Sequence, residues 1–146
     1  MMRDIRHSFW IEAPLEKVMA ALMEQQQIQG WWTAEARIVA GRGVFGWSGY
    51  GWCVELDMEQ DRVSHRVLWR CTSSNMQDTD AWVGTTISFS LNPEQGGTRL
   101  AFAQTGYRAS PCFEICQQGW AYFIGTSLKR YLETGKGLPY PDTPNT

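Results

Sequence analysis

Two groups of side chains in this sequence could act on a small molecule: a set of large aromatics, and a few polar groups that the strand and helix patterns turn toward the same interior. The polar ones are His65, Thr85, Gln104, Gln117 and Ser127. An unpaired buried polar group costs about 1–3 kcal/mol, so each needs a partner in the protein or on a ligand. Thr85 and Ser127 are small and easily satisfied by backbone, a neighbouring side chain or a buried water. Gln104 and Gln117 are larger and harder to satisfy, and either use fits them. His65 titrates near neutral pH and could act as a general base, but no inward carboxylate accompanies it. The aromatics are Trp52, Trp69, Phe89, Phe102 and Trp120, which would wall a pocket for a flat or lipid-like molecule or equally fill the space themselves. The candidate ligand-binding set is therefore Trp52, His65, Trp69, Thr85, Phe89, Phe102, Gln104, Gln117 and Trp120, with no catalytic residue assigned.

These residues depend on a strand-rich middle and a long final helix for their placement. Residues 4–12 alternate as a strand with Ile5, Phe9 and Ile11 on one face. Pro14 suits the first turn of a helix, where its missing N–H costs nothing, and Leu15, Val18, Met19 and Leu22 follow at helical spacing. A second short helix or turn leads to Gly30-Trp31-Trp32, with the indole pair either a lid or packing. From Ala36 to Tyr107 the pattern is strands and turns, including Gly41-Arg42-Gly43 and Gly46 to Gly51 as turns. A hairpin folded about Gln60-Asp61 pairs Trp52 with Trp69, Val54 with Val67, Leu56 with His65 and Met58 with Val63. Its other face carries Cys53 opposite Leu68 and Glu55 opposite Arg66, a half-buried antiparallel pattern. A second hairpin closing at residues 92–97 pairs Phe89 with Leu100, Ile87 with Phe102 and Thr85 with Gln104.

Residues 111–134 project Phe113, Cys116, Gln117, Trp120, Ile124, Ser127, Leu128 and Tyr131 onto one helix face. Lys129, Arg130 and Glu133 fall opposite, and Gly135 suits the C-terminal stop. Gly119 and Gly125 each weaken the helix by roughly 1 kcal/mol, so packing against a concave sheet must hold it. Glu114 suits the macrodipole of the first turn. Ile115 and Tyr122 project from the outer face and offer a contact for a homodimer. The Pro- and Gly-rich segment 136–146 is expected to trail across the surface.

Composition narrows the function classes. The 146 residues suit one domain, and 43% of them are hydrophobic, enough for a core. Thirteen basic and fifteen acidic residues give a net charge of −2 with no basic run, which argues against nucleic acid. No stretch approaches the roughly 20 apolar residues of a membrane span, and the N-terminus lacks a signal-peptide pattern. A cytoplasmic location with reduced thiols is the expectation. Cys53, Cys71, Cys112 and Cys116 contain no C-x-x-C pair, and only His7 and His65 could join them. Buried thiols, with no metal and no other cofactor, are expected. No nucleophile-elbow, zincin, Walker or dinucleotide-binding motif is present.

Taken in order, Ile11-Glu12-Ala13-Pro14 with Lys17-Val18, Gly30-Trp31-Trp32, Gly97-Thr98-Arg99-Leu100, Gly119-Trp120 and the run Leu128 to Gly135 span most of the chain. This sequence resembles the START-like (SRPBCC) superfamily, and within it the branch named after the activator of heat-shock protein 90 ATPase. The resemblance implies an α+β helix-grip fold: a curved antiparallel sheet of about seven strands around a long C-terminal helix, with two short helices after the first strand. It implies a cavity between sheet and helix but no fixed catalytic set. The expected function is non-enzymatic binding of a small hydrophobic or aromatic molecule. A cyclase- or aromatase-like enzyme and a co-chaperone-like interaction module are the alternatives.

Overall fold

The computed structural model describes residues 2–108 and 113–142. Seven strands form one antiparallel sheet: β1 (Met2–Ile11), β2 (Glu35–Val39), β3 (Arg42–Trp47), β4 (Trp52–Asp61), β5 (Arg66–Ser74), β6 (Thr86–Glu94) and β7 (Gly97–Arg108). Their spatial order is β1-β7-β6-β5-β4-β3-β2. Two short helices, α1 (Leu15–Met23) and α2 (Gln25–Gln29), follow β1. The final helix runs as α3 (Phe113–Tyr122), a wider π-helical stretch (Phe123–Leu128) and α4 (Lys129–Thr134). The fold is the α+β helix-grip, with the curved sheet holding this helix.

The alternation expected from sequence holds strand by strand. Val54, Leu56 and Met58 of β4 are buried, as are Val67, Trp69 and Cys71 of β5, Ile87, Phe89 and Leu91 of β6, and Leu100, Phe102 and Gln104 of β7. The helix buries Phe113, Cys116, Trp120, Ile124, Ser127 and Leu128 against them. Pro111 and Cys112 lie outside the described residues. Gly125 matters because a Cβ there would lie 2.5 Å from the Phe9 ring, so the glycine lets the helix lie close on β1. Gly135 ends the helix at φ 91°, its N–H returning to the Tyr131 carbonyl at 2.8 Å.

The pairings differ from those expected. Trp69 stands opposite Met58 and Cys71 opposite Leu56, because β4 continues to Asp61. Asp61 then starts the turn: its Oδ1 accepts the N–H groups of Val63 (2.9 Å) and Ser64 (3.2 Å), and His65 closes it at φ 57°. In the second hairpin Phe89 faces Phe102 and Leu91 faces Leu100. Its loop is only Gln95-Gly96, both with positive φ, a twist that suits tight hairpins. Both slips are even-numbered, so side chains that remain in paired strands keep their expected face, whereas Val63 and His65 pass into the turn. Gly43 and Gly46 are strand residues of β3 rather than turn residues, and a Cβ on Gly43 would collide with the Phe45 ring.

The edge strand β2 is capped from α2. Gln25 Oε1 accepts the Ile38 N–H at 2.8 Å, and Gln29 Nε2 donates to the Ala36 carbonyl at 3.0 Å. An open strand edge is a template for pairing with another chain. Replacing both glutamines with alanine is expected to cost about 1–2 kcal/mol and to raise light scattering on mild heating; unchanged scattering would show the edge needs no cap.

The C-terminal segment does not trail free. Leu138 N–H donates to Ser127 Oγ (2.8 Å), Tyr140 N–H to the Trp32 carbonyl (2.9 Å), and Ala34 N–H to the Tyr140 carbonyl (2.8 Å). Gly137 passes so close to Gly30 that a Cβ would sit 2.5 Å from the Gly30 oxygen. Through residue 142 the segment is a strap across the end of the fold.

Candidate functional site

The interior between sheet and helix is filled by rings. Trp32 lies at the centre, with ring centroids 5.2 Å from Trp69, 4.9 Å from Phe45, 5.2 Å from Trp47 and 5.4 Å from Trp120. Phe89 packs on Trp69 at 4.7 Å, and Phe102 on Trp120 at 4.8 Å. Trp69, Phe89 and Phe102 are at most 2% exposed. The structure places these three in the core, and none of them lines the cleft beside α3.

The inward polar groups find partners in this core. The Trp120 indole N–H donates to Gln104 Oε1 (2.9 Å), Gln104 Nε2 donates to Thr85 Oγ1 (3.1 Å), and Thr85 Oγ1 donates to the Trp82 carbonyl (2.7 Å). An indole N–H can only donate, which fixes the orientation of the Gln104 amide. Ser127 Oγ donates to the Trp31 carbonyl at 2.6 Å. Gln117 is half-buried, and it is its main-chain carbonyl, not its side-chain amide, that meets His7 Nε2 at 2.9 Å. His65 lies in the β4–β5 turn, outside the paired strand, so it does not face the interior as expected.

Space for a ligand exists beside this core. A half-open cleft of about 560 Å³ runs along α3, with Trp52 and Trp120 of the expected set in its lining. Its helix wall is Ile115, Cys116, Gly119, Tyr122 and Phe123. Ile115 and Cys116 lie four and three residues before Gly119, and Tyr122 and Phe123 three and four after it, so they share one flank of the helix. Ile115 is exposed, as its outer-face placement implied, and sits on this flank, whereas Tyr122 is half-buried. Gly119 leaves the middle of that wall open, since a Cβ there would meet nothing within 4 Å.

The facing wall comes from four separate parts of the chain: Trp32; Trp47, Tyr50 and Trp52; Met76, Gln77 and Trp82; and Tyr140 of the strap. Tyr50 stacks on Trp52 at 4.4 Å and 11°. Trp52 is also held by its N–H to Asp78 Oδ1 at 3.2 Å. Gln77 (φ 57°) and Asp78 (φ 61°) are both left-handed, a strained state for non-glycine residues. Asn75 clamps that turn, its Oδ1 accepting the Cys53 N–H (2.8 Å) and its Nδ2 donating to the Gly51 carbonyl (3.0 Å). Tyr140 locks the β3–β4 turn, with its Oη accepting the Gly49 N–H at 2.6 Å.

Electrostatically the lining is plain. Among the described residues that line the cleft, none is Asp, Glu, Lys, Arg or His. Burial pushes the Tyr122 hydroxyl above its ordinary pKa, against a smaller opposing pull from Arg130. Burial likewise holds the Cys71 thiol up at about 11, and burial with nearby Glu55 raises Cys53. Neither has the lowered pKa of a reactive cysteine. Cys116 Sγ accepts from Trp82 Nε1 (3.4 Å) and from Tyr107 Oη (3.3 Å). No metal-binding cluster occurs among the described residues, and none of their helices is long and apolar enough to cross a membrane.

Sequence reasoning missed Tyr50, Met76, Gln77, Trp82 and Tyr140 because they sit in turns and in the strap, where no periodicity marks a face. Gly119 did carry a signal: a glycine in mid-helix that weakens the helix and serves no close packing.

Comparison with known proteins agrees with this architecture. The sequence model of the Activator of Hsp90 ATPase homolog 1-like protein family matches residues 12–133. Among solved structures, the Aha1 dimer from Colwellia psychrerythraea is 27% identical at a TM-score of 0.79, covering 93% of this chain and 100% of that one. DynU16, a protein in the dynemicin biosynthetic locus, is 22% identical at a TM-score of 0.69, covering 92% of this chain and 48% of that one. A protein from Mesorhizobium loti is 20% identical at a TM-score of 0.70, covering 90% and 97%. Among curated proteins nothing matches the chain. With its strands, gripped helix and sequence in agreement over this span, the chain belongs to the Activator of Hsp90 ATPase homolog 1-like protein family.

Proposed function

We propose that this protein binds a small hydrophobic, aromatic molecule in the cleft beside α3, and does so without catalysing a reaction on it. The observation that carries the reading is the cleft itself: about 560 Å³, walled by Trp32, Trp47, Trp52, Trp82, Trp120 and Phe123, and adjacent to a core that is already full. That size and apolar character fit a drug-sized ligand. The enzymatic alternative needs an acid and a base across the cleft, and the described lining offers no carboxylate or imidazole for either role. The homodimer expectation is supported by the dimeric Colwellia psychrerythraea relative and by Ile115, which is 52% exposed.

Gly119→Leu tests the reading. The new side chain grows into the cleft, so the affinity for the uncharged fluorescent probe N-phenyl-1-naphthylamine is expected to fall at least about tenfold, or about 1.4 kcal/mol. Stability should stay level or rise by up to about 1 kcal/mol, because leucine favours a helix over glycine. Equal probe binding by both proteins would exclude this cleft as the site.

A further inference from the structure

Tyr140 ties the strap to two parts of the cleft wall that are distant in sequence. Its main chain is bound to the segment after α2: the N–H donates to the Trp32 carbonyl at 2.9 Å, and the carbonyl accepts the Ala34 N–H at 2.8 Å. Its side chain is bound to the β3–β4 turn, where Oη accepts the Gly49 N–H at 2.6 Å and the ring meets Tyr50 at 6.0 Å. Both anchors belong to the cleft, since Trp32 and Tyr50 line it together with Tyr140 itself. Tyr50 in turn stacks on Trp52 at 4.4 Å and nearly parallel, at 11°, which gives this stretch of the wall a flat aromatic face. Gly49 is fitted to the strap, because a Cβ there would lie 2.5 Å from Tyr140 Oη. The flanks of the turn have other supports, Glu35 on Ser48 and Asn75 on the Gly51 carbonyl, while Tyr140 holds Gly49 between them. The strap lies beyond the span 12–133 that the family model matches, so membership of the family does not account for it.

Resting on the proposed cleft, we infer that Tyr140 is its selectivity residue: it makes the cleft prefer flat aromatic molecules to flexible alkyl chains. Ring stacking needs two planes held at a set distance and angle. An alkyl chain can follow a wall that has shifted, and a stacked ring cannot. A wall fixed in advance also spares a ligand the cost of ordering it. By pinning Gly49, Tyr140 holds the Tyr50–Trp52 face in place before a ligand arrives. It is a positioning residue for that face, besides lining the cleft with its own ring.

The test compares the dye N-phenyl-1-naphthylamine with 1-octanol, the alcohol being measured by displacement of the dye well below the melting temperature. Tyr140→Phe keeps the ring and removes the hydroxyl. Gly49→Ala presses on the same contact from the other side. Each single variant is expected to weaken dye binding about fivefold, the worth of one hydrogen bond, and to lower the dye-to-octanol affinity ratio at least about threefold. Gly49 is exposed, so its N–H can turn to water and the melting temperature should barely move. In the double variant the missing oxygen leaves the new Cβ 3.7 Å from the nearest ring carbon. Its loss should therefore match that of Tyr140→Phe alone and not the product of the two. An unchanged ratio in both single variants, or losses that multiply in the double variant, would overturn the inference. The cleft reading would still stand if Gly119→Leu weakens dye binding as expected. Failure of wild type to bind the dye, or equal binding by Gly119→Leu, would remove both.

Discussion

Trp69→Ala is expected to destabilise the protein by about 4–5 kcal/mol in urea unfolding, most of the margin of a typical domain. The indole is fully buried and packs on Trp31, Trp32, Phe45 and Phe89, so its loss leaves a cavity in the centre of the ring array. It has a second task. The Trp69 N–H donates to the Leu22 carbonyl at 3.1 Å, as the Trp31 N–H donates to the Ala21 carbonyl at 2.8 Å. Both carbonyls belong to the last turn of α1, where helix geometry leaves them without partners of their own. Two tryptophans thus terminate a helix that has no basic residue in its last turn and no glycine cap. Trp69→Phe separates the tasks: it retains most of the packing and should cost about 1–3 kcal/mol, chiefly from the orphaned carbonyl. A loss under 2 kcal/mol for Trp69→Ala would show that the ring array tolerates a void.

Gln104→Glu is expected to make stability depend on pH. In its protonated form a carboxyl at this position reproduces the native network, accepting from the Trp120 N–H and donating to Thr85 Oγ1. Ionised, it loses that donor and turns a negative charge toward the Thr85 oxygen, whose own proton is directed to the Trp82 carbonyl. Gln104 is fully buried, so the introduced acid should have a folded pKa raised by up to about 3 units over its unfolded value near 4.3. The sign follows: between those two pKa values the folded state binds more protons than the unfolded state, so stability falls as pH rises. The variant should approach wild type below about pH 4 and lose up to about 3.5 kcal/mol by pH 7. Denaturant unfolding from pH 4 to 8 measures this, and a flat difference between the two proteins would mean that water reaches the site.

Several features of the fold could be read directly from residue order. Alternation in β4 to β7 placed Val54, Val67, Ile87 and Phe102 on the concave face, and the 3.6-residue period placed Phe113, Trp120, Ile124 and Leu128 against it. Both periods are local, so they survive errors in pairing. Gln104 and Thr85 were also legible as inward polar groups that needed partners. The second hairpin was also expected to pair them; the two-residue slip between β6 and β7 sets Gln104 opposite Ile87 instead, yet leaves its side chain within reach of Thr85.

Register was not legible, because it depends on where each turn closes. Asp61 accepting two backbone N–H groups moved one turn past the expected Gln60-Asp61 position, and His65 left the interior with it. Whether the interior held a cavity was not legible either, since only the packed volumes decide how far Trp32, Trp69, Phe89 and Phe102 fill it. Residue order by itself determined which side chains face inward, since the 2.0 and 3.6 periods are properties of the local backbone. Only the tertiary structure decided that the open space lies beside α3. That cleft joins Trp47, Trp52, Trp82 and Tyr140 through turns and a strap held by contacts between residues far apart in sequence.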